Sequence, residues 1–317
     1  MLALRGVIPA LPTPFDESGR VVLEPLIRHV RAVIAAGVSG VWVAGGTACA
    51  PYLTLDERDE IVRLVIREVD GRIPVYVHVA AMTTADSVRL ARAAAQAGAS
   101  AVSAIPPIFY GTSTPAIIRF LAAIQEAAAL PIVYYHVPGL TKVQLASGDL
   151  VEIARSVPHC IGIKFSDLDY WKAIEIKLDL PHVALMTGFE ETLLGGLAMG
   201  VLDGGVGAAQ NFIPEPLVKI FNAYAKGDLA TAQDLHWKVA RVIRVQGMFE
   251  FGPTTYAILN LLGAQMGAPR SPIQALDPSQ VQKVRQALSA CVSDAPFRER
   301  RLIESRDLLP PPASAPQ

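Results

Sequence analysis

Charged side chains are scarce in this chain of 317 residues, and neither sign of charge dominates. Lys, Arg, Asp and Glu make up 18% of the residues and leave a net charge of -1. Proteins that attract nucleic acid or anionic membranes need a basic surface field. We therefore expect no nucleic-acid partner and no membrane partner, and the composition favours a small-molecule ligand.

Cysteine and histidine are also few. Cys49, Cys160 and Cys291 are an odd number at wide spacing, which disfavours both a disulfide framework and a zinc site. The six histidines show no ligand spacing such as His-x-x-x-His, so we expect no bound metal. The first residues carry Arg5 and turn through Pro9, Pro12 and Pro14, so we expect no signal peptide. The uncharged stretch between Arg92 and Arg119 is broken by Pro106-Pro107, which disfavours a membrane helix. A reducing, cytoplasmic setting is the resulting expectation.

Short β-branched runs alternate with helical stretches through the first two thirds of the chain. The predicted strands span residues 7–11, 40–44, 74–79, 101–105, 131–136, 160–164, 183–187 and 201–206. No glycine-rich dinucleotide loop follows the first strand, so eight strand-helix units predict a (β/α)8 TIM barrel rather than a doubly wound sheet. The run Gly204-Gly205-Val206-Gly207 resembles a phosphate loop but lacks a full dinucleotide-binding fingerprint, so it predicts a tight turn.

The strand pattern stops after residue 225. Segments 229–245, 253–263 and 278–291 carry a helical pattern instead and predict a C-terminal helical extension. We therefore divide the chain into a barrel domain at 1–225, an extension at 226–306 and a tail at 307–317. The proline-rich composition of that tail predicts disorder.

Lys164 lies in the apolar run that spans residues 160–165, whereas the other seven lysines have polar neighbours. Burying an ammonium costs several kcal/mol unless it is paired or loses its proton. Catalytic groups of a TIM barrel collect at the C-terminal ends of the strands, where Lys164 lies. A neutral amine there is a candidate nucleophile for a carbonyl. The alternative is a buried lysine paired with a core carboxylate.

An amine that attacks a keto acid needs a proton relay and a binding site for the carboxylate. Tyr135 ends the preceding predicted strand and is placed to move protons. The backbone N–H groups of Gly45, Gly46 and Thr47, with the Thr47 hydroxyl, can hold a carboxylate without a metal. The alternative for Tyr135 is a side chain that only packs at the end of its strand. The alternative for the loop from Gly45 to Thr47 is a tight turn that binds no ligand.

Five motifs occur in order along the chain: Pro12-Thr13-Pro14-Phe15, Gly45-Gly46-Thr47, Tyr135-His136-Val137-Pro138, Gly162-Ile163-Lys164-Phe165-Ser166 and Gly204-Gly205-Val206-Gly207. Together they resemble the dihydrodipicolinate synthase and N-acetylneuraminate lyase family of Schiff-base aldolases. The resemblance implies that Lys164 forms an imine with pyruvate, that Tyr135 transfers protons and that Thr47 binds the carboxylate. It also implies a homotetramer in which a tyrosine reaches the neighbouring site. Tyr110 is the candidate, with Phe109 as the alternative.

Leu140 distinguishes two branches of that family. Dihydrodipicolinate synthases typically carry an arginine two residues after the proline at position 138, and this chain has Leu140 there. The N-acetylneuraminate lyase branch fits better. It implies a cofactor-free lyase that breaks or forms a C–C bond between pyruvate and an aldehyde, on N-acetylneuraminate or a 2-keto-3-deoxy sugar acid. The implied substrate-binding residues are Gly46, Thr47, Leu140, Ser166, Gly188, Glu190, Glu191 and Val206.

The chain departs from the family pattern at two places. Ala48 and Cys49 stand where the family has a glycine and a glutamate, and Ala208 stands where a hydroxyl is usual. If the missing glycine served a positive φ, alanine would cost about 1 kcal/mol and reshape the loop. Two other functions therefore stay open. One is a condensing synthase or keto-acid dehydratase that uses the same imine, and the other is a non-catalytic keto-acid binding protein.

Overall fold

The computed structural model describes residues 2–292, and eight short strands form its centre. They are β1 (Gly6–Pro9), β2 (Val41–Val43), β3 (Val75–His78), β4 (Ala101–Ala104), β5 (Ile132–His136), β6 (Cys160–Phe165), β7 (Ala184–Thr187) and β8 (Gly204–Gly207). From β2 to β8 each strand pairs in parallel with the next strand of the chain, and β1 pairs in parallel with β8. A parallel bridge from Ala10 to Trp42 joins β1 to β2 and links the two ends of the sheet. The prediction of a TIM barrel is confirmed.

Helices follow the strands and cover the outside of the barrel. They are α1 (Leu23–Ala35), α2 (Leu55–Val69), α3 (Thr84–Ala97), α4 (Thr114–Ala128), α5 (Pro138–Thr141), α6 (Ser147–Ser156), α7 (Tyr170–Asp179), α8 (Leu193–Ala198) and α9 (Pro214–Ala225). Local sequence signals set several of their ends. Thr54 and Glu57 form a capping box at the start of α2, and Gly98 ends α3 in a left-handed conformation.

Three further helices form the C-terminal extension. They are α10 (Leu229–Gln246), α11 (Phe251–Leu261) and α12 (Pro278–Val292), where the sequence predicts helices. Helix α10 packs on α9, and α12 packs on α10 and α11. The predicted domain boundary at residue 225 stays a prediction. Residues 293–306 of the predicted extension and the tail 307–317 lie outside the described residues.

Two apolar layers hold the barrel together. The larger layer lies between the strands and the surrounding helices, which is where the amphipathic helices place their buried faces. The smaller layer fills the interior of the barrel with inward-facing side chains, among them Ile8, Trp42, Tyr76, Tyr135, Met186 and Val206. The barrel is therefore a packed core whose C-terminal end carries the polar groups. Within residues 2–292, no helix is long and apolar enough to cross a bilayer.

The last strand starts later than the sequence predicts. Val201 and Leu202, which we assign to the strand, belong to the outer layer, and Leu202 packs closely on Gly196 of α8. The glycine-rich run that predicts a tight turn is itself β8. Glycine is needed there because β1 approaches closely: a Cβ on Gly204 would lie 2.1 Å from the carbonyl oxygen of Gly6.

Substituting Gly204→Ala should therefore destabilise the closure of the barrel. The new methyl group would overlap the backbone of Gly6, and such overpacking costs about 1–3 kcal/mol. Urea unfolding measures the loss. Gly195→Ala is the matched control, because a Cβ on Gly195, in helix α8, meets open space. That control should leave the free energy of unfolding unchanged or slightly raised, and equal stability of the two variants would contradict the explanation.

Candidate active site

Most of the residues singled out by sequence come to one rim of the barrel. Each follows or ends a strand at its C-terminal end: the loop Gly45–Thr47 after β2, Tyr110 after β4, Tyr135 and Leu140 at and after β5, Lys164 and Ser166 on and after β6, Gly188, Glu190 and Glu191 after β7, and Val206 in β8. This common rim follows from the parallel order of the strands. The side chains differ greatly in exposure, and only some of them touch.

Lys164 is buried, with 5% of its surface exposed, in the strand predicted to carry it. Tyr135 is its direct partner across the β5–β6 pair, and the lysine Nζ lies 4.1 Å from the centroid of the Tyr135 ring. Within residues 2–292, no carboxylate lies within salt-bridge distance of Nζ. The alternative of a lysine paired with a core acid is therefore wrong.

His78 and Trp42 complete the surroundings of Tyr135. Both rings meet the tyrosine ring edge to face, each at a centroid distance of 6.1 Å. Burial, together with the positive charges of Arg58 and Lys164, lowers the pKa of His78 to about 3. The imidazole is therefore neutral at physiological pH and adds no charge to the site.

Arg58 is a charged residue near the site that sequence reasoning missed. Its guanidinium is buried and donates hydrogen bonds to the carbonyl oxygens of His78 at 2.8 Å and Ala80 at 2.9 Å. Burial lowers its pKa to about 10, so it still carries a positive charge at neutral pH. Arg58, Ile61 and Val65 are at positions i, i+3 and i+7 of α2 and therefore share its buried face. That periodicity is the signal that could have identified Arg58 as buried.

The loop after β2 keeps two backbone donors free. The hydrogen bonds of the described residues use neither the N–H of Gly46 nor that of Thr47. The positive φ values fall on Ala44 and Cys49, not on Ala48, so the alanine that replaces the family's glycine is unstrained. The altered sequence therefore keeps a turn whose free N–H groups can bind an anion.

The C-terminal extension holds this loop in place. Thr13 Oγ1 donates to the carbonyl oxygen of Ala48 at 2.8 Å, and Tyr256 of α11 donates to the carbonyl oxygen of Thr13 at 2.7 Å. The Cys49 Sγ lies 3.6 Å from the same tyrosine hydroxyl, and burial raises the pKa of the thiol. Cys49 is therefore a packed thiol rather than a nucleophile.

A second polar group lies on the β6 to β8 side of the rim. Ser166 is buried directly against Gly188, where a Cβ would lie 1.9 Å from the serine Oγ. The carboxylate of Glu190 is buried over Gly207 and accepts a hydrogen bond from the backbone N–H of Gln210 at 3.2 Å. Burial raises the pKa of Glu190 to about 7.

The remaining predicted residues lie at the extremes of exposure. Tyr110 is 80% exposed, packs edge to face on the exposed Phe109, and makes no ring contact with Tyr135 in the part of the chain that the structure describes. Leu140 is 74% exposed and Glu191 is exposed, whereas Val206 is fully buried in the barrel interior. No cluster of three or more metal-ligating side chains occurs within residues 2–292.

The sequence model of the dihydrodipicolinate synthetase family matches residues 3–291, which is almost the whole chain. The chain belongs to this family. The family predicted from the five motifs is therefore confirmed.

The relatives within this family include N-acetylneuraminate lyases. That of Rhizobium meliloti is 30% identical over 288 residues, which cover 91% of this chain and 95% of that protein. The structure of YagE, a prophage protein of E. coli K12 in complex with pyruvate, has a TM-score of 0.87 and 25% identity, and covers 92% of this chain and 99% of its own. The structure of a catalytic lysine mutant of the Ruminococcus gnavus sialic acid aldolase matches with a TM-score of 0.84 and 27% identity. The match covers 92% of this chain and 98% of that protein.

The buried carboxyl of Glu190 predicts a pH dependence of stability. Its pKa of about 7 in the folded chain lies above the ordinary value of 4.5, so folding disfavours its ionised form. The contribution of Glu190 to the free energy of unfolding should therefore fall between about pH 4.5 and 7 by an amount on the order of 3 kcal/mol. Glu190→Gln, which cannot ionise, should not show this fall.

Urea unfolding at pH 5 and pH 8 tests this. The measured quantity is the difference in the free energy of unfolding between wild type and Glu190→Gln at each pH. We expect the variant to be more stable relative to wild type at pH 8 than at pH 5. Glu126→Gln, at an exposed position of α4, is the control: its difference in stability from wild type should be the same at both pH values. A difference between wild type and Glu190→Gln that is independent of pH would contradict the prediction.

Proposed function

We propose that this chain is a class I, pyruvate-dependent aldolase that forms an imine between Lys164 and its keto-acid substrate. The observation that carries the proposal is the position of Lys164: a buried amine without a carboxylate partner in residues 2–292, 4.1 Å from the ring of Tyr135. Its relatives named N-acetylneuraminate lyase and sialic acid aldolase support the same reaction class. The structure of YagE in complex with pyruvate supports pyruvate as the keto acid.

The covalent step joins Lys164 Nζ to the carbonyl carbon of the keto acid. The nitrogen lone pair forms the C–N bond, and the carbonyl oxygen takes up a proton. That oxygen then leaves as water with one of the two protons of the amine, and the product is a cationic imine that keeps one N–H. The C–C bond that breaks joins the carbon next to the imine carbon to a carbon that bears a hydroxyl group. That hydroxyl loses its proton and becomes the C=O of the released aldehyde, while the electrons of the C–C bond pass to the positive nitrogen and leave a neutral enamine. We assign Tyr135, which has given a proton to the leaving oxygen in the previous step, to receive this proton.

Tyr135 is the residue we assign to proton transfer. Its side chain is buried beside Lys164, and cross-strand pairing fixes the two on neighbouring strands. A phenol in that place can donate a proton to the leaving oxygen and receive one back in the reverse direction. We assign the carboxylate of the keto acid to the free N–H groups of Gly46 and Thr47 and to the Thr47 hydroxyl.

The sugar end of the substrate is assigned to the other side of the rim. Ser166, Gly188, Glu190 and Glu191 supply hydroxyl, carboxyl and backbone groups there, and Leu140 supplies apolar surface. Val206, which is fully buried in the barrel interior, would act only by packing beneath the substrate. Leu140 offers no charge for a second carboxylate, which favours a sugar acid over aspartate semialdehyde. N-acetylneuraminate or a 2-keto-3-deoxy sugar acid is therefore the proposed substrate.

The remaining expectations concern cofactors, location and assembly. The imine itself is the electron acceptor, so we propose that the reaction needs no cofactor and no metal. We propose a cytoplasmic location, which the three widely spaced cysteines favour. We also propose a homotetramer, because the exposed rings of Phe109 and Tyr110 lie at the rim and offer an apolar surface to a second copy. In that assembly Tyr110 would reach the site of the neighbouring subunit.

Release of pyruvate from candidate sugar acids tests the proposed activity. The wild type should release pyruvate from N-acetylneuraminate or from a 2-keto-3-deoxy acid, and Lys164→Met should release none. Tyr135→Phe should keep the fold and lose about 10²- to 10⁴-fold in rate, which is the usual contribution of a proton-transfer group. Pyruvate release by Lys164→Met at the wild-type rate would refute the assignment of the nucleophile.

Mixed tetramers test the role of Tyr110. When Lys164→Met and Tyr110→Phe chains are expressed together, the intact lysine of one chain should receive the intact tyrosine of the other, and activity should return. Lys164→Met with Tyr135→Phe is the control pair, because both of those residues serve the same chain and cannot complement. Absence of complementation in the first pair would show that Tyr110 does not act across a subunit boundary.

A further inference from the structure

Two aromatic faces surround the nitrogen of Lys164. The Nζ lies over the Tyr135 ring at 4.1 Å and over the Trp42 ring at 5.1 Å from the ring centroid. The planes of the two rings meet at 82°, so they form two walls at right angles rather than one stacked surface. The face of an aromatic ring attracts a cation at such distances.

The position of Trp42 is fixed from two directions. Tyr76 stacks on its ring with a centroid distance of 6.2 Å, and the side chain has no exposed surface. On the other side lies the carboxylate-binding loop, where a Cβ on Gly45 would be 2.9 Å from the indole Nε1. Glycine at position 45 therefore leaves room for the indole under the loop.

The indole N–H does not explain why a tryptophan stands here. Nε1 is buried and has no hydrogen-bond partner within residues 2–292. Packing alone would be served by a ring without a polar atom, which leaves no donor unsatisfied. What tryptophan adds over such a ring is the largest and most electron-rich face available to a protein side chain.

We propose that Trp42 is a further catalytic residue, and that its face and that of Tyr135 form an aromatic cage that stabilises the positive charge of the imine on Lys164. This inference rests on the proposed function. The imine nitrogen carries a full charge in a buried place where no side-chain carboxylate of residues 2–292 lies within salt-bridge distance, and the two ring faces lie against it. Imine formation creates that charge from a neutral amine and a neutral carbonyl group. A cage that stabilises the charge therefore favours the imine and raises the fraction of enzyme that is ready for cleavage.

Fluorination of the indole tests the cage without changing its shape. Each ring fluorine withdraws electron density from the ring face and weakens its attraction for a cation, while the volume changes little. Trp171 and Trp237, the other two tryptophans, are 64% and 69% exposed, so both can be replaced by phenylalanine. The full-length double variant then carries a single indole, at position 42, that can be replaced by tryptophan with one, two or three ring fluorines.

The measured quantity is the amount of imine trapped by borohydride at a fixed, subsaturating pyruvate concentration. We expect it to fall step by step with each added fluorine, by about tenfold over the series, while urea unfolding stays unchanged. A purely structural role for Trp42 predicts equal trapping throughout, and that result would overturn the inference. Absence of any adduct in the unfluorinated protein would instead refute the proposed function, so the two failures are distinguishable.

Two substitutions give an independent measurement. Trp42→Phe keeps an aromatic face of smaller electrostatic potential, and Trp42→Leu removes the face. Trapping should decrease from wild type to phenylalanine and again to leucine, among variants whose circular dichroism shows a folded barrel. If Trp42→Leu does not fold, the fluorinated series still decides. Equal trapping in Trp42→Phe and Trp42→Leu would contradict the cage.

Discussion

A buried amine without a carboxylate partner in the described residues is the constraint around which this active site is arranged. Lys164 Nζ is removed from water by strand β6 and meets the faces of Tyr135 and Trp42 instead of a carboxylate. A core acid there would stabilise the ammonium and keep the lone pair from reacting. Burial keeps His78 neutral, so the ring that packs on Tyr135 adds no charge of its own beside the amine.

The loop that we assign to the keto-acid carboxylate depends on contacts far along the chain. Thr13 bonds to Ala48, and Tyr256 bonds to Thr13 from the C-terminal extension. The extension therefore contributes to the site without supplying a reacting group. In this chain, Cys49 takes the place of the family's glutamate and contacts the same tyrosine hydroxyl, so a buried packing contact stands where a charged side chain is usual.

The sequence predicts what local patterns control. Strand and helix periodicity identify the barrel, and the pairing of Lys164 with Tyr135 follows from parallel neighbouring strands. The predicted start of β8 is wrong. Val201 and Leu202 are as apolar as strand residues, but they pack in the outer layer. The aromatic surroundings of Lys164 escape prediction because alternation along β2 does not say where the ring of Trp42 points. Tyr256 escapes it because its partner Thr13 is 243 positions away.

The most direct test of the account is reduction of the full-length protein by borohydride in the presence of pyruvate, followed by peptide mapping in a mass spectrometer. The account predicts one adduct per chain, on the peptide that contains Lys164, and no adduct in Lys164→Met. An unmodified chain, or an adduct on any other lysine, would contradict it.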